Sequence, residues 1–299
     1  MRKMYLFLML GIFLVSCHEQ SKTGDEDTFT FAFLTDIHAQ PEKNAMQGFQ
    51  QAINKVNELN PDFVITGGDL IMDALGASHG RADSLYNIYD SMQGDFNMPV
   101  YNTMGNHEVY GIYESSKADS LHPEFGEKMY EQRLGERYYS FDHEGWHFMI
   151  LDAIEEPGHY YIGEIDSVQM SWIRKDLASV DQSTPVVIST HIPFITAMNQ
   201  FWEGPTAEVK DSWVVTNAHE VLKLYQDHNL QLVLQGHLHI YEDIYINGIH
   251  FITGGAVSGA WWSGPNRGTE EGFLLVESEQ NSFDSEYIDY GWEVKKPEK

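Results

Sequence analysis

Five times along this chain a short apolar run stops abruptly on a small group of polar residues. Phe29, Phe31 and Phe33 alternate and end at Asp36-Ile37-His38, and Phe63 to Thr66 runs into Gly67-Gly68-Asp69. Pro99 to Met104 precedes Gly105-Asn106-His107-Glu108, Val186 to Thr190 ends on His191, and Leu230 to Leu234 exits into Gly236-His237-Leu238-His239. Helical spacing fills the intervals. Met46, Phe49, Ile53, Val56 and Leu59 recur at steps of three and four before Pro61, and further helices are expected around Leu85, Ile88 and Met92, around Val168, Trp172, Ile173 and Leu177, and around Val221, Leu222 and Tyr225. Strands alternating with helices read as an α/β fold, in which sites form beyond the carboxyl ends of the strands.

The sheet is not purely parallel. Tyr138 to Asp142 and Trp146 to Asp152 flank His143-Glu144-Gly145 as a hairpin, and Asn247-Gly248 joins Ile240–Ile246 to Ile249–Thr253 in a turn suited to positive φ. Phe273 to Glu277 and Glu286 to Ile288 suggest another pair. No repeat and no linker divides residues 28–299, so they read as one domain with a β-rich end.

The chain opens with Met1, Arg2 and Lys3 and an apolar run from Met4 to Val15, too short to span a bilayer comfortably. Residues 1–16 read as a signal peptide. Leu14-Val15-Ser16-Cys17 resembles the lipobox of bacterial lipoproteins, in which the cysteine is lipidated and becomes the new N-terminus; the alternative is a conventional leader with an incidental cysteine. Residues 17–27 would be an acidic tether. These features imply export and a lipid anchor on the periplasmic or cell-surface side of a membrane. Cys17 is the only cysteine, so no thiol is left for a disulfide or a nucleophile. A formal charge of -27, from 45 acidic and 18 basic residues, opposes stable binding to nucleic acid.

A single histidine at a strand end is usually a hydrogen-bonded structural residue. Five clusters in series are different, because all of them carry oxygen or imidazole ligands suited to transition metals. In Asp36-Ile37-His38 and His237-Leu238-His239, alternate residues can project to one side of an extended segment. The glycines at 67, 68, 105 and 236 allow close backbone approach, or serve as turn residues.

In order, these blocks read D-x-H, G-D, G-N-H-[DE], H and G-H-x-H, and from about Thr28 to Tyr245 the chain resembles the calcineurin-like metallophosphoesterase superfamily. The resemblance implies a β-sandwich of mixed sheets flanked by helices. It implies two divalent or trivalent transition-metal ions (Mn, Fe or Zn), one held by Asp36, His38, Asp69 and His239 and the other by Asp69, Asn106, His191 and His237, with Asp69 bridging. Two carboxylates against two such ions leave positive charge for a small phosphorylated substrate, attacked by metal-activated water. His107, beside the ligand set, would assist the leaving group or else support its loop. Glu108 and Asp73 would orient neighbouring groups, with a solvated loop carboxylate as the alternative for Asp73. Met104 stands where relatives that are protein serine/threonine phosphatases place an arginine, and Met72 where purple acid phosphatases carry a tyrosine ligand. The compact blocks and secretory context look more similar to bacterial phosphodiesterases of the cyclic-nucleotide and glycerophosphodiester type, so the resemblance implies a phosphodiesterase, with a phosphomonoesterase or a non-catalytic, metal-containing surface binding lipoprotein as alternatives. Trp202, Trp261 and Trp262, like Tyr160 and Tyr161, would either stack on substrate or cover the end of the sheet.

Overall fold

The computed structural model describes residues 28–294, so the expected signal peptide, lipidation site Cys17 and acidic tether lie outside the described residues. Along the chain run β1 (Thr30–Leu34), α1 (Ala45–Leu59), β2 (Phe63–Thr66), α2 (His79–Gln93), β3 (Val100–Asn102), α3 (Lys128–Arg133), β4 (Tyr139–His143) and β5 (Trp146–Ile150). They are followed by β6 (Ile154–Glu155), β7 (Ile162–Gly163), α4 (Ser167–Leu177), β8 (Pro185–Ser189), α5 (Met198–Glu203), α6 (Ala218–Leu222) and β9 (Asn229–Gln235). Two hairpins complete the order, β10 (Tyr241–Ile246) with β11 (Ile249–Gly254) and β12 (Gly272–Glu279) with β13 (Ser282–Asp289).

Two mixed sheets result, one ordered β13-β12-β1-β2-β3 and the other β10-β11-β9-β8-β5-β4, with β6 and β7 as a separate pair. Alternation along β1 shows why they stack. Phe29, Phe31 and Phe33 point between the sheets to meet Phe63, Phe148, Leu232 and Ile252, while Ala32 and Leu34 face the helical layer with Phe49, Ile53 and Val56. Inside the sandwich, the Phe31 and Phe63 rings stack at 5.2 Å and Phe148 meets Phe31 edge-on at 5.6 Å. This is the mixed-sheet sandwich flanked by helices that the resemblance implies.

Local expectations hold with some displacements. Asn247 and Gly248 take φ of 52° and 89°, and Glu144 and Gly145 take 43° and 78°, as two-residue hairpin turns require. In α1 the buried face is Ala45, Gly48, Phe49, Ala52, Ile53 and Val56, and Met46 is exposed. In α4 Val168 is exposed and Gln169 is buried in its place, because the Gln169 amide bonds the backbone N–H and carbonyl of Asp152 at 3.0 and 2.7 Å. The last hairpin is longer than the apolar spacing suggests, eight residues in each strand. No helix among the described residues is long and apolar enough to cross a membrane.

Candidate metal centre

β1, β2 and β3 are parallel in one sheet and β8 and β9 in the other, and the turns after their carboxyl ends meet. Asp36, His38, Asp69 and His239 offer ligand atoms within 4.8 Å of one another, and so do Asp69, His191 and His237. Asp69 belongs to both groups. Asn106 Oδ1 joins the second, 3.2 Å from His191 Nε2. All seven residues proposed as ligands from the sequence are brought together, in the two sets the resemblance implies.

The convergence does not come from strand alternation, as the sequence reading expected. Asp36, His38, Asp69, His237 and His239 have φ of 54°, 49°, 51°, 70° and 54°, a left-handed backbone that side chains disfavour by on the order of 1–3 kcal/mol each. Surrounding bonds hold them there. Asp36 N donates to Gly68 O at 3.0 Å, His38 N to Asp69 O at 2.8 Å, and His237 N to Asp36 Oδ1 at 3.1 Å. Ile37 and Leu238, between the paired ligands, are buried in apolar clusters. Two glycines are sterically required: a Cβ on Gly68, at φ 87°, would lie 2.6 Å from His191 Nδ1, and one on Gly105 would lie 2.2 Å from Asp69 N.

The donor set fits metal ions. His191 Nδ1 donates to Gly67 O at 2.8 Å, so in the neutral ring Nε2 is a bare lone pair, yet Nε2 faces Asp69 Oδ1 at 3.1 Å, Asn106 Oδ1 and His237 Nδ1 at 3.2 Å. His239 repeats this arrangement. Its Nδ1 donates to Gly259 O at 2.5 Å, while Nε2 lies 3.0 Å from His38 Nε2 and 3.2 Å from Asp36 Oδ1. Acceptors converging from several sides without matching donors are satisfied by cations, and imidazole with carboxylate and amide oxygen suits Mn, Fe or Zn.

Burial opposes every charge in this cluster. It pushes His38 well below the ordinary histidine range, with the charge of His107 adding, and it takes His237 down to about 3, with His191 adding. Both rings are neutral at neutral pH. Burial also opposes a proton on His191, but Asp69 outweighs it and lifts that ring to about 9; Asp36 raises His239 against burial in the same way. The Asp36 and Asp69 carboxyls are pushed up by burial and pulled to a net depression by His239 and by His107 with His191, respectively. The carboxylates stay ionised and draw in positive charge, as protons or as metal in their place.

Around the cluster, the sequence expectations divide. His107 Nδ1 donates to the Met72 carbonyl, its backbone N–H donates to Asp69 Oδ1 at 3.0 Å, and its Nε2 lies 3.8 Å from Asp69 Oδ2. Glu108 is fully buried and accepts from the N–H groups of Asp69, Leu70, Ile71 and Gly105 at 2.7–3.1 Å, clamping the Asp69 turn to the Asn106 turn. Burial and the Asp69 charge push its carboxyl up to about 8, while the N–H groups of Ile71 and Gly105 pull it back. Asp73 does not orient a neighbour in the cluster: its Oδ1 accepts from Leu75 N at 2.8 Å and shapes its own turn. Met72 places its sulfur against Gln40 Nε2 at 3.2 Å.

Only one of the three tryptophans reaches the cavity. Trp261 is 39% exposed, lines the cavity beside the cluster and lies 4.4 Å from the His239 ring, centroid to centroid. Trp262 is buried, with Nε1 donating to His38 O at 3.0 Å and its ring filling the space left by Gly48, so it is a brace and does not face substrate. Trp202 is outside the cavity lining, under the Arg267 guanidinium at 4.9 Å. The loop from Gly254 to Trp262 runs back along the cluster. Val257 N and Ser258 N donate to the carbonyls of Thr35 and Asp36 at 2.9 and 3.2 Å. Tyr161 lines the cavity, whereas Tyr160 is exposed outside it. Trp213, Asn266 and Arg267 also line it, and no spacing or motif in the sequence singled them out.

A family model for calcineurin-like phosphoesterases matches residues 29–241. The chain belongs to this family. Its members use a two-metal centre, and the convergence of Asp and His side chains is of that kind. Purple acid phosphatase 15 of Arabidopsis thaliana is 27% identical to this phosphoesterase-family chain over 205 residues, 61% of this chain and 36% of the relative. The chain thus spans about a third of the length of the curated relatives it matches. The sequence reading set purple acid phosphatases aside because of Met72, yet the curated matches carry that name. Among solved structures, a dimetal phosphatase from Danio rerio aligns with TM-score 0.60 and 15% identity over 86% of this chain and 98% of that one. A purple acid phosphatase from yellow lupin (Lupinus luteus) seeds aligns with TM-score 0.57 and 17% identity over 88% of this chain and 52% of that one. At these identities both show the shared fold.

Proposed function

We propose that this protein is a metal-dependent phosphoric ester hydrolase that cleaves small phosphodiesters, with Asp36, His38, Asp69, Asn106, His191, His237 and His239 holding two ions of Mn, Fe or Zn. The observation that carries the reading is the pair of ligand groups sharing Asp69, beside a cavity that His107 also lines. When bound, the ions would activate water and polarise the phosphoryl oxygens. The residues of the chain supply the rest. A protonated His107, with Nδ1 committed to the Met72 carbonyl, presents Nε2–H to the leaving oxygen as the phosphorus–oxygen bond to it breaks and the bond to the water oxygen forms. Glu108 fixes the turns of Asp69 and Asn106 so that the ligands do not shift during the reaction. A diester carries an organic group on each side of phosphorus, and Tyr161, Trp213 and Trp261 give the cavity an apolar wall for one of them.

Residues 21–299, loaded separately with manganese, zinc or iron, should hydrolyse bis(p-nitrophenyl) phosphate, and Asp69→Ala should lose both metals and turnover. Hydrolysis with no metal, or full activity in Asp69→Ala, would sink this mechanism. A second reading, phosphomonoesterase, is favoured by the names of the matched relatives, all of them phosphatases. Ranking kcat/KM for matched mono- and diesters decides between the two. We further propose that residues 1–16 are removed on export, that Cys17 is lipidated and that 17–27 tether the 28–299 unit to the periplasmic or cell-surface side of a bacterial membrane. The Leu14-Val15-Ser16-Cys17 sequence supports this, and incorporation of labelled lipid that survives in Cys17→Ala would refute it.

A further inference from the structure

The cavity beside the clustered histidines holds about 340 Å³, and part of its wall has a chemistry unlike metal ligation. Trp261, Asn266 and Arg267 line it, and all three lie beyond residue 241, where the family match ends. Two independent observations single out this wall.

The first is the backbone of the tryptophan pair. Trp261 and Trp262 both take left-handed φ, 50° and 64°, which bulky side chains adopt only when their surroundings over-determine it. Trp262 is locked from below by Gly48 and the His38 carbonyl, and Lys43 Nζ holds the Trp261 carbonyl at 3.0 Å and Ser263 Oγ at 2.9 Å. The Trp261 ring is thereby fixed 4.4 Å from the His239 ring and 6.0 Å from the His38 ring, still partly open to solvent. A flat apolar platform is held rigidly beside the candidate reaction centre.

The second is charge. In a chain with 45 acidic and 18 basic residues, Arg267 has no carboxylate partner and no acceptor for its N–H groups among the described residues. What positions it is the face of Trp202, 4.9 Å from the guanidinium carbon. A contact through the ring face leaves the planar donors free for a bidentate anion.

We infer that Trp261 and Arg267 form a second subsite in this cavity, one that takes the flat ring and a second anionic group of a nucleotide-like phosphodiester while the candidate metal cluster takes the scissile phosphate. The inference rests on the phosphoesterase reading above. It names the substrate class as a nucleoside-type ester with a further phosphate, and makes Trp261 and Arg267 the residues that select it.

Three p-nitrophenyl diesters separate the contributions: methyl p-nitrophenyl phosphate, p-nitrophenyl thymidine 5′-phosphate, and the same thymidine ester with a 3′-phosphate. In the metal-loaded protein, Arg267→Gln should lower the kcat/KM ratio of the third to the second about tenfold, with partial recovery in Arg267→Lys. Trp261→Ala should lower the ratio of the second to the first by a similar factor, the scale of one lost aromatic–base stack. Equal losses on all three esters, or ratios that do not move, overturn the subsite. Calorimetric binding of thymidine 3′,5′-bisphosphate and thymidine 5′-phosphate keeps the two claims apart. An Arg267-dependent preference for the bisphosphate without any turnover leaves the subsite standing and removes the hydrolase reading. Turnover without that preference does the reverse.

Discussion

His107 is tied on one side and open on the other, and that asymmetry determines what its loss should do. With Nδ1 on the Met72 carbonyl, no hydrogen-bond partner for Nε2 among the described residues and the ring in the cavity lining, it can serve a leaving group that needs a proton. His107→Gln should cut kcat for alkyl diesters by about 10²-fold, and far less for p-nitrophenyl esters, whose phenolate departs unaided. A flat dependence of the defect on leaving-group basicity would remove the acid role. At this scale the sequence was legible where chemistry repeats: the residue types of the five blocks pick out, without knowledge of the fold, the side chains that converge. It was illegible where one contact from far away decides. Trp261 and Trp262 look equivalent in sequence, but Gly48 and the His38 carbonyl bury one and leave the other at the cavity. Asp73 follows Met72 closely in sequence, but its Oδ1 is taken by the N–H groups of its own turn. Trp213 and Arg267 carry no local signature at all.

Between α1 and the loop after β11, the close approach depends on one missing side chain. A Cβ on Gly48 would stand 2.2 Å from the Trp262 ring, so Gly48→Ala must push that ring off the helix and strain the segment that carries Trp261. The expected cost is about 1–3 kcal/mol in urea unfolding, together with altered fluorescence from the displaced tryptophans. A variant as stable as the parent would show that the helix and loop can slide apart freely. Elements were readable wherever periodicity and burial agree, as in β1, β2 and α1, and wherever turn chemistry is local, as at Asn247-Gly248. They were misread where a polar residue is buried for its hydrogen bonds, the case of Gln169, and where strands continue through polar residues, the case of β12 and β13.

Over the whole molecule the acidic excess is not all surface. Arg137 gathers Asp152, Glu127 and Glu131 between α3 and the segment after β5. Burial, with the charge of Asp152, pushes Glu127 up to about 9; burial takes Asp152 up to about 6 against the pull of Arg137, and burial with Asp152 takes Glu156 up to about 7. The folded chain keeps protons that the unfolded chain releases near its ordinary carboxyl range, so this cluster's contribution is complete below that range and is lost progressively from there as pH rises through 6 to 9. Tm should therefore fall across that window, and Glu127→Gln should flatten its upper part; parallel profiles for the two proteins would refute the assignment. The mixed sandwich was legible only through the family resemblance, because periodicity does not say which strands are neighbours. That pairing has a consequence in time. β1, which leads to Asp36 and His38, is covered on one edge by β12, from the far end of the chain. A fragment ending at residue 241, where the family match stops, would leave β1 and β9 each with a bare edge and should collect as aggregate when expressed as 28–241. During synthesis the strand that begins the site emerges among the first and is sealed among the last, so the ribosome must deliver nearly the whole protein before the first sheet can close.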